Sequence, residues 1–256
     1  MKPGLTKENK LARLAWCLER KHWTIEDWKN VIFTDETAVQ LGGTRGKRRV
    51  WRKPDEAYNK HVIRRRWKGF SEFMFWGAFS YDKKGPCHVW EKETAQEKKD
   101  RKDDLNKRNS LREEADKQKW MKAQKKWLQE YVKTHGRKPG GTRKKWVHNE
   151  ANGAYIVKNG RGGINWYRYQ KKILEDKLLP FAKECELERP GIIVQEDNAP
   201  AHSSKYQLET FSRWHVLRMT WCANSPDFNA IEPTWFWMKK ETTKRGASIN
   251  RKKLWI

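Results

Sequence analysis

The sequence has no long apolar run. Nothing in it approaches the roughly 20 consecutive apolar residues that a bilayer-spanning helix needs, so no transmembrane segment is expected. The opening "MKPGLTKENK" has no apolar stretch of the signal-peptide kind. Cysteine is scarce and scattered: Cys17, Cys87, Cys185 and Cys222 form no C-x-x-C pair. That argues against a zinc module or a disulfide framework and fits a reducing compartment. Acid is the other shortage. Against 57 Lys+Arg stand 32 Asp+Glu, a formal charge of +25 on 256 residues with a pI near 9.9. Such an excess repels itself in the compact state and attracts polyanions, nucleic acid first among them.

Tryptophan, in contrast, is abundant, with 16 copies. Most are expected to fill the core; exposed ones are able to stack on bases. Residues 5–30 read as helical, with Leu11, Leu14, Ala15 and Leu18 at helix spacing. "TIED" from Thr24 has the form of a capping box that opens a short helix. The β-branched run "VIFTDETAV" follows, then a Gly-rich basic turn "GGTRGKRR", a strand "FMFWGAFS" at 73–80, and a Gly85-Pro86 turn before "CHVW". Between 91 and 134 Gly and Pro are absent and charges of both signs mix. Trp120, Ala123, Trp127, Leu128 and Tyr131 recur there at steps of three to four, which predicts an amphipathic helix with a narrow apolar stripe. "HGRKPGG" ends it. Two uses are open for this block: a solvated helical arm, or a surface for DNA or another subunit.

Helix is expected again over 166–184, with Tyr169, Ile173, Leu178 and Phe181 turned to the core. A strand at 192–196, a helix at 203–214, a strand "HVLRMTWC", a turn at "NSPD" and a last helix from about 229 complete the pattern. Strands first, then alternating helix and strand, predict an α/β layer fold with a mixed sheet.

Three carboxylates stand out by position: Asp35 after "VIFT", Asp197 after "IIVQE", and Glu232 in the first turn of the last helix. If the two strands are parallel neighbours, Asp35 and Asp197 meet at one sheet edge, where ligands of open α/β sheets gather. Converging carboxylates ionise cheaply only beside a counter-cation, and such hard oxygen donors suit magnesium or manganese. Each acid has a plainer reading. Asp197 in "DNAP" is able to form an Asx turn. Asp35 can be an exposed strand-end residue. Glu232, three after Asn229, can close a capping box. Asp227 is an alternative acid in reach.

"TIEDWKNVIFTDET", "FMFWGAFS", "EDNAPAHSSK" and "NSPDFNAIEPTW" together resemble the catalytic domain of mariner-type DDE transposases, and they bracket residues 5 to 245. Thirty-four residues separate Asp197 from Glu232, as in the branch whose third acid is Glu. The resemblance implies an α/β, RNase H-like mixed sheet flanked by helices, running over 31–256 after a helical lead-in at 1–30. The charged helical block and basic loop at 91–150 would interrupt it as an insertion. It implies that Asp35, Asp197 and Glu232 are the catalytic residues and hold two Mg²⁺ or Mn²⁺ ions. It implies DNA cleavage by water, then strand transfer by the freed 3′-hydroxyl, with transposon ends and target DNA as partners, a homodimer as the active form, no membrane, and the nucleus as location. Family members usually carry helix-turn-helix units ahead of this domain, which the chain is expected to lack. "SPDFNAIE" also departs from the family's "SPDLNPIE". A catalytically inactive remnant that only binds DNA is the alternative, and a nuclease for RNA–DNA hybrid is a third reading.

His202 is a candidate for orienting a phosphate, a water or the Asp197 carboxylate, or else packs at the next helix's start. Asn198 is a candidate for hydrogen bonding near the metal site, and Asn224, Ser225 and Asp227 for turn and cap roles. The basic runs with Arg45, Lys47, Arg48 and Arg49, and with Arg64, Arg65, Arg66 and Lys68, are candidate phosphate contacts, with solvated loops as the plainer account.

Overall fold

Residues 5–40, 72–141, 144–157 and 163–242 are described by the computed structural model. They fall into two compact units, one drawn from residues 1–91 and 168–256, the other from 92–167. The basic runs at 45–49 and 64–68 lie outside the described residues.

The first unit begins with α1 (Lys7–Glu19) and α2 (Ile25–Lys29). The expected capping box is present: Thr24 and Asp27 exchange side chain and backbone bonds at the start of α2. The sheet is built from β1 (Val31–Gln40), β2 (Glu72–Ser80), β3 (Lys83–Val89), β4 (Ile193–Gln195) and β5 (Leu217–Arg218) in the order β3-β2-β1-β4-β5. The first three form an antiparallel meander, and β4 and β5 run parallel to β1. This mixed order is the RNase H-like arrangement. β1 continues five residues past Asp35, so Asp35 stands in mid-strand opposite Gly77, not at a strand end. The edge at this point comes instead from β4, which stops at Gln195. Strand "HVLRMTWC" shrinks to the two residues of β5; the Met219 N–H still reaches Val194 O, and from Trp221 the chain lines a cavity.

Alternation along β1 divides the unit. Val31, Phe33 and Val39 point to one face, where they join Trp16, Phe75, Trp221, Ile231 and Trp235 in one apolar cluster. Trp16 touches three aromatic rings there, stacked on Phe228 and tilted or edge-on to Trp28 and Trp221. Ile32 points to the opposite face and is fully buried. A helical run follows in three stretches: α4 (Trp166–Tyr169), a wider-wound π-helical stretch (Gln170–Leu178) that packs on β3, and α5 (Leu179–Glu188). Pro180 has no N–H with which to close an ordinary turn, and the widened stretch lies just before it. Ile173, Leu174, Leu178 and Leu179 are fully buried. α6 (Lys205–Trp214) starts at its N-cap Ser204, and α7 (Glu232–Thr242) starts three residues later than the sequence pattern suggests, after a short 3₁₀ turn at Pro226–Phe228.

The second unit is dominated by α3 (Ala95–His135), a 41-residue helix opened by a Thr94/Glu97 capping box and closed by Gly136 in the left-handed region. Its central anchor is Asp116, 5% exposed, which accepts from Arg112 Nε at 2.9 Å and faces His148 Nε2 at 3.3 Å. Gly153 packs directly on that carboxylate and has φ of 109°, so a side chain there would collide with Asp116 and strain the backbone. Among the described residues, no helix is long and apolar enough to cross a membrane.

Candidate active site

The parallel pairing of β1 and β4 puts Phe33 beside Gln195. Asp35 and Asp197 each lie two residues further on, so the register itself carries both acids to the same level of the sheet. The polypeptide from 221 to 232 wraps over that level, and Glu232 enters from the first turn of α7. All three acids line one open cavity of about 350 Å³, together with Asn198, Asn224, Ser225 and Asn229. No Lys or Arg is among the described lining residues.

Each acid is held differently. Asp35 Oδ2 accepts from Trp235 Nε1 at 2.9 Å. Burial pushes the Asp35 carboxyl up to about 7; the Trp235 bond opposes this, and the charges of Glu232 and Glu36 add to it. Asp197 Oδ1 accepts from the Ala199 N–H at 2.9 Å, which is the Asx turn that "DNAP" suggests. The same oxygen receives His202 Nδ1 at 2.6 Å. Burial alone would raise Asp197, but His202, Ala199 and Arg218 hold it below the ordinary carboxylate range. Turn residue and site residue are therefore compatible, since Oδ2 takes no part in the turn. No capping box joins Glu232 to Asn229 among the described residues: the Glu232 N–H donates to the Asn229 carbonyl at 3.2 Å, while Asn229 Nδ2 donates to Thr34 O at 3.0 Å and ties the loop to β1. Asp227 is committed elsewhere, in a bidentate pair with Arg13.

His202 is 3% exposed and has both ring nitrogens engaged, Nδ1 with Asp197 and Nε2 with Glu36 at 3.2 Å. Of the roles the sequence leaves open, this geometry is that of orienting the Asp197 carboxylate; a buried ring so occupied does not reach a phosphate. Burial alone would lower its pKa, but the bonds to Asp197 and Glu36 push it up to about 10, so both nitrogens donate. Asn198 Nδ2 donates to Trp221 O at 2.9 Å and fixes the far wall.

A second layer of acids escapes sequence reasoning. Glu196, fully buried, accepts from Tyr169 Oη at 2.5 Å and from Arg218 Nε at 2.9 Å. Tyr169 also lies over the His202 ring, with centroids 4.1 Å apart. Glu36 and Glu196 neighbour Asp35 and Asp197 in the chain, and by strand alternation neighbours point to opposite faces. The one available signal was Trp235, three residues after Glu232 and so nearly on the same helix face.

The donor set fits a hard divalent cation: carboxylate oxygens, no basic side chain among the described residues of the wall, and one carboxyl that resists ionising without a counter-charge. Among the described residues, no three His, Cys, Asp or Glu side chains stand close enough to cage an ion by themselves. The acids line a shared opening and do not form a closed ligand shell.

No family model matches the chain. It is 24% identical over 256 residues to the transposable element Tcb2 transposase of Caenorhabditis briggsae, covering 98% of this chain and 66% of that protein. It is 23% identical over 235 residues to the Tc1 transposase of Caenorhabditis elegans, covering 91% of this chain and 59% of that protein. The chain thus spans less than two thirds of these relatives' length. In fold it is similar to the Mos1 transposase in a paired-end complex with the left transposon end, with a TM-score of 0.56 at 11% identity over 99% of this chain and 54% of that one. The Mos1 strand transfer complex gives 0.53 at 13% identity, again over 99% of this chain. The fold is that of Mos1, and sequence similarity along nearly the whole chain makes it homologous to the Tc1/mariner transposases.

Proposed function

We propose that this chain carries out the strand cleavage and strand transfer of DNA transposition, with Asp35, Asp197 and Glu232 as ligands of two Mg²⁺ or Mn²⁺ ions. The supporting observation is that these three carboxylates, from three separate parts of the chain, line one cavity with no Lys or Arg among its described lining residues. Mos1 has been crystallised as a paired-end complex with Mn and with Mg, which supports the choice of ion. When bound, a pair of such ions supplies positive charge to the attacking and the leaving oxygen of an in-line displacement.

The chain's own residues set the stage for that chemistry. Trp235 holds one oxygen of Asp35 and leaves the other for a ligand role. His202 and the Ala199 N–H together hold Oδ1 of Asp197, which leaves Oδ2 toward the opening. Asn229 fastens the wrapping loop to β1, and Asn198 fastens it to the segment that follows β4. In the first step water adds to a backbone phosphorus and the 3′-oxygen leaves, taking a proton. In the second step that 3′-hydroxyl attacks a target phosphodiester, and one P–O bond forms as another breaks. We infer transposon ends and target DNA as substrates, a dimer that joins two ends, and the nucleus as the place of action.

The test is cleavage of labelled element-end DNA with Mg²⁺ or Mn²⁺ by wild type, Asp35→Asn, Asp197→Asn and Glu232→Gln. Metal-dependent product from wild type and none from the three variants is expected. Equal product from wild type and Asp197→Asn would sink the metal role. Binding without cleavage in every case would favour a DNA-binding remnant.

A further inference from the structure

The long helix of the second unit changes character at its midpoint. From Ala95 to Asp116 it carries seven Lys+Arg and seven Asp+Glu, and from Lys117 to His135 six Lys and one Glu. In the first half the charges balance, with an acid for every base, and its three arginines are paired: Arg108 with Asp104, Arg112 with Asp116, and Arg101 with Glu93. In the second half the one acid, Glu130, lies 3.9 Å from Lys126 with both ends well exposed, a pair of little energetic weight.

This half also has no buried face. No side chain from Met121 to His135 is buried. Local devices hold it helical: Trp127 against Tyr131, Tyr131 stacked on His135 at 4.1 Å, and the Gly136 cap. Lys119, Lys122, Lys126 and Lys133 follow the i, i+3, i+7, i+14 spacing that keeps residues on one side of a helix. The row extends about 21 Å at 1.5 Å per residue. All four are exposed. The aromatic residues Trp120, Trp127 and Tyr131 fall on the other side. Only the last turn's cations are accounted for by the helix dipole.

We infer that this lysine row is a sequence-independent docking site for the phosphate backbone of duplex DNA. The assignment rests on the DNA-processing reading above and adds to it a contact made by the second unit. Charge complementarity selects the occupant. A row of exposed ammonium groups on one side of a helix, with no buried side chain from Met121 to His135 and one weak partner among the described residues, matches a line of phosphates, whereas an apolar partner would use the opposite side. Neutralising about four phosphates contributes about 3–4 to the slope of log K against log salt.

The experiment measures binding of the full chain to a random-sequence duplex between 50 and 200 mM salt. Wild type is compared with a Lys119→Gln, Lys122→Gln, Lys126→Gln, Lys133→Gln variant. A control removes the same charge from the first half: Lys98→Gln, Lys99→Gln, Lys102→Gln, Lys107→Gln. Circular dichroism checks that the helix persists. The row variant is expected to lose about 3–4 from the slope, so that wild-type affinity falls on the order of 100-fold more across that range; the control loses much less. An unchanged slope, an equal loss in the control, or a loss of self-association with DNA binding intact overturns the assignment. Absence of duplex binding by wild type would overturn the proposed function as well, and so is distinct from failure of the row alone.

Discussion

The Nδ1 of His202 lies 2.6 Å from Oδ1 of Asp197, while Nε2 of the same ring lies 3.2 Å from Oε1 of Glu36. A buried imidazolium therefore bridges a carboxylate on β1 and one just past the end of β4. It fixes the rotation of Asp197 and offsets part of the negative charge beneath the cavity. Residues that orient a ligand in this way typically change metal affinity or activity by about 10–100-fold when removed. His202→Ala is expected to raise the Mg²⁺ concentration needed for half-maximal cleavage by about that factor and to leave duplex affinity near wild type. A metal titration of cleavage alongside a binding assay reads both. Parallel loss of both would assign His202 to folding alone.

Gly77 faces Asp35 across the β1–β2 ladder, and its missing side chain is where the Trp235 ring sits. A Cβ there would come within 2.9 Å of Trp235 Cη2. The ring is braced by Phe75 at a right angle, so it has little room to retreat. Gly77→Ala is thus expected to displace the indole that holds Asp35 and to cost about 1–3 kcal/mol by overpacking. Cleavage should fall by more than the stability loss explains at a temperature where the variant is folded. Thermal unfolding and single-turnover cleavage on one preparation separate the two effects; a fully active variant would show that the Trp235 bond to Asp35 is dispensable.

Much of this arrangement was legible in the sequence because it depends on local rules. The "TIED" capping box, the strand runs and the 3-to-4-residue recurrence through Tyr131 each follow from periodicity or cap chemistry, and α2, β1, β2 and α3 stand where those rules put them. The placement of Asp35 and Asp197 side by side required one assumption, parallel neighbouring strands, and β1 and β4 pair that way. What stayed hidden depends on pairing and packing. β1 continues beyond Asp35 because β2 remains alongside it, and no composition of β1 reveals that partner. Glu196 and Arg218 read as a strand acid and a strand base; only the parallel neighbours β4 and β5 make them an ion pair. Trp235 is buried in the apolar cluster, yet its N–H is spent on an acid of the cavity, which no pattern in the sequence reveals.

Glu196 has its carboxylate wholly out of solvent, so both of its oxygens need donors. Tyr169 Oη supplies one and Arg218 Nε the other. Tyr169→Phe removes the first donor and keeps the ring over His202. Leaving a buried carboxylate short of one hydrogen bond costs about 2–3 kcal/mol, and at about 2–4 °C per kcal/mol for a chain of this size the expected fall in Tm is about 4–12 °C. Scanning calorimetry checks it. No change in Tm would mean that water replaces the hydroxyl at no cost.

In the second unit Asp116 offers a pH signature. Burial alone would raise its carboxyl, but the hydrogen bonds from Arg112 and His148 outweigh this and hold it below the ordinary value of 3.8. A carboxylate whose folded pKa is depressed adds stability that is complete above its unfolded pKa and is lost as pH falls through the folded one. Arg112 is 27% exposed and His148 10%, so solvent screens part of the pairing. Asp116→Asn is expected to destabilise by about 1–3 kcal/mol at pH 6, at or below the cost of breaking a fully buried pair. The gap should stay constant down to about pH 5 and close as the solution falls below about pH 4. Denaturant unfolding of both proteins from pH 6 to pH 3 measures it. A gap that persists unchanged at pH 3 would show that Asp116 acts by filling the space against Gly153, with its charge adding nothing.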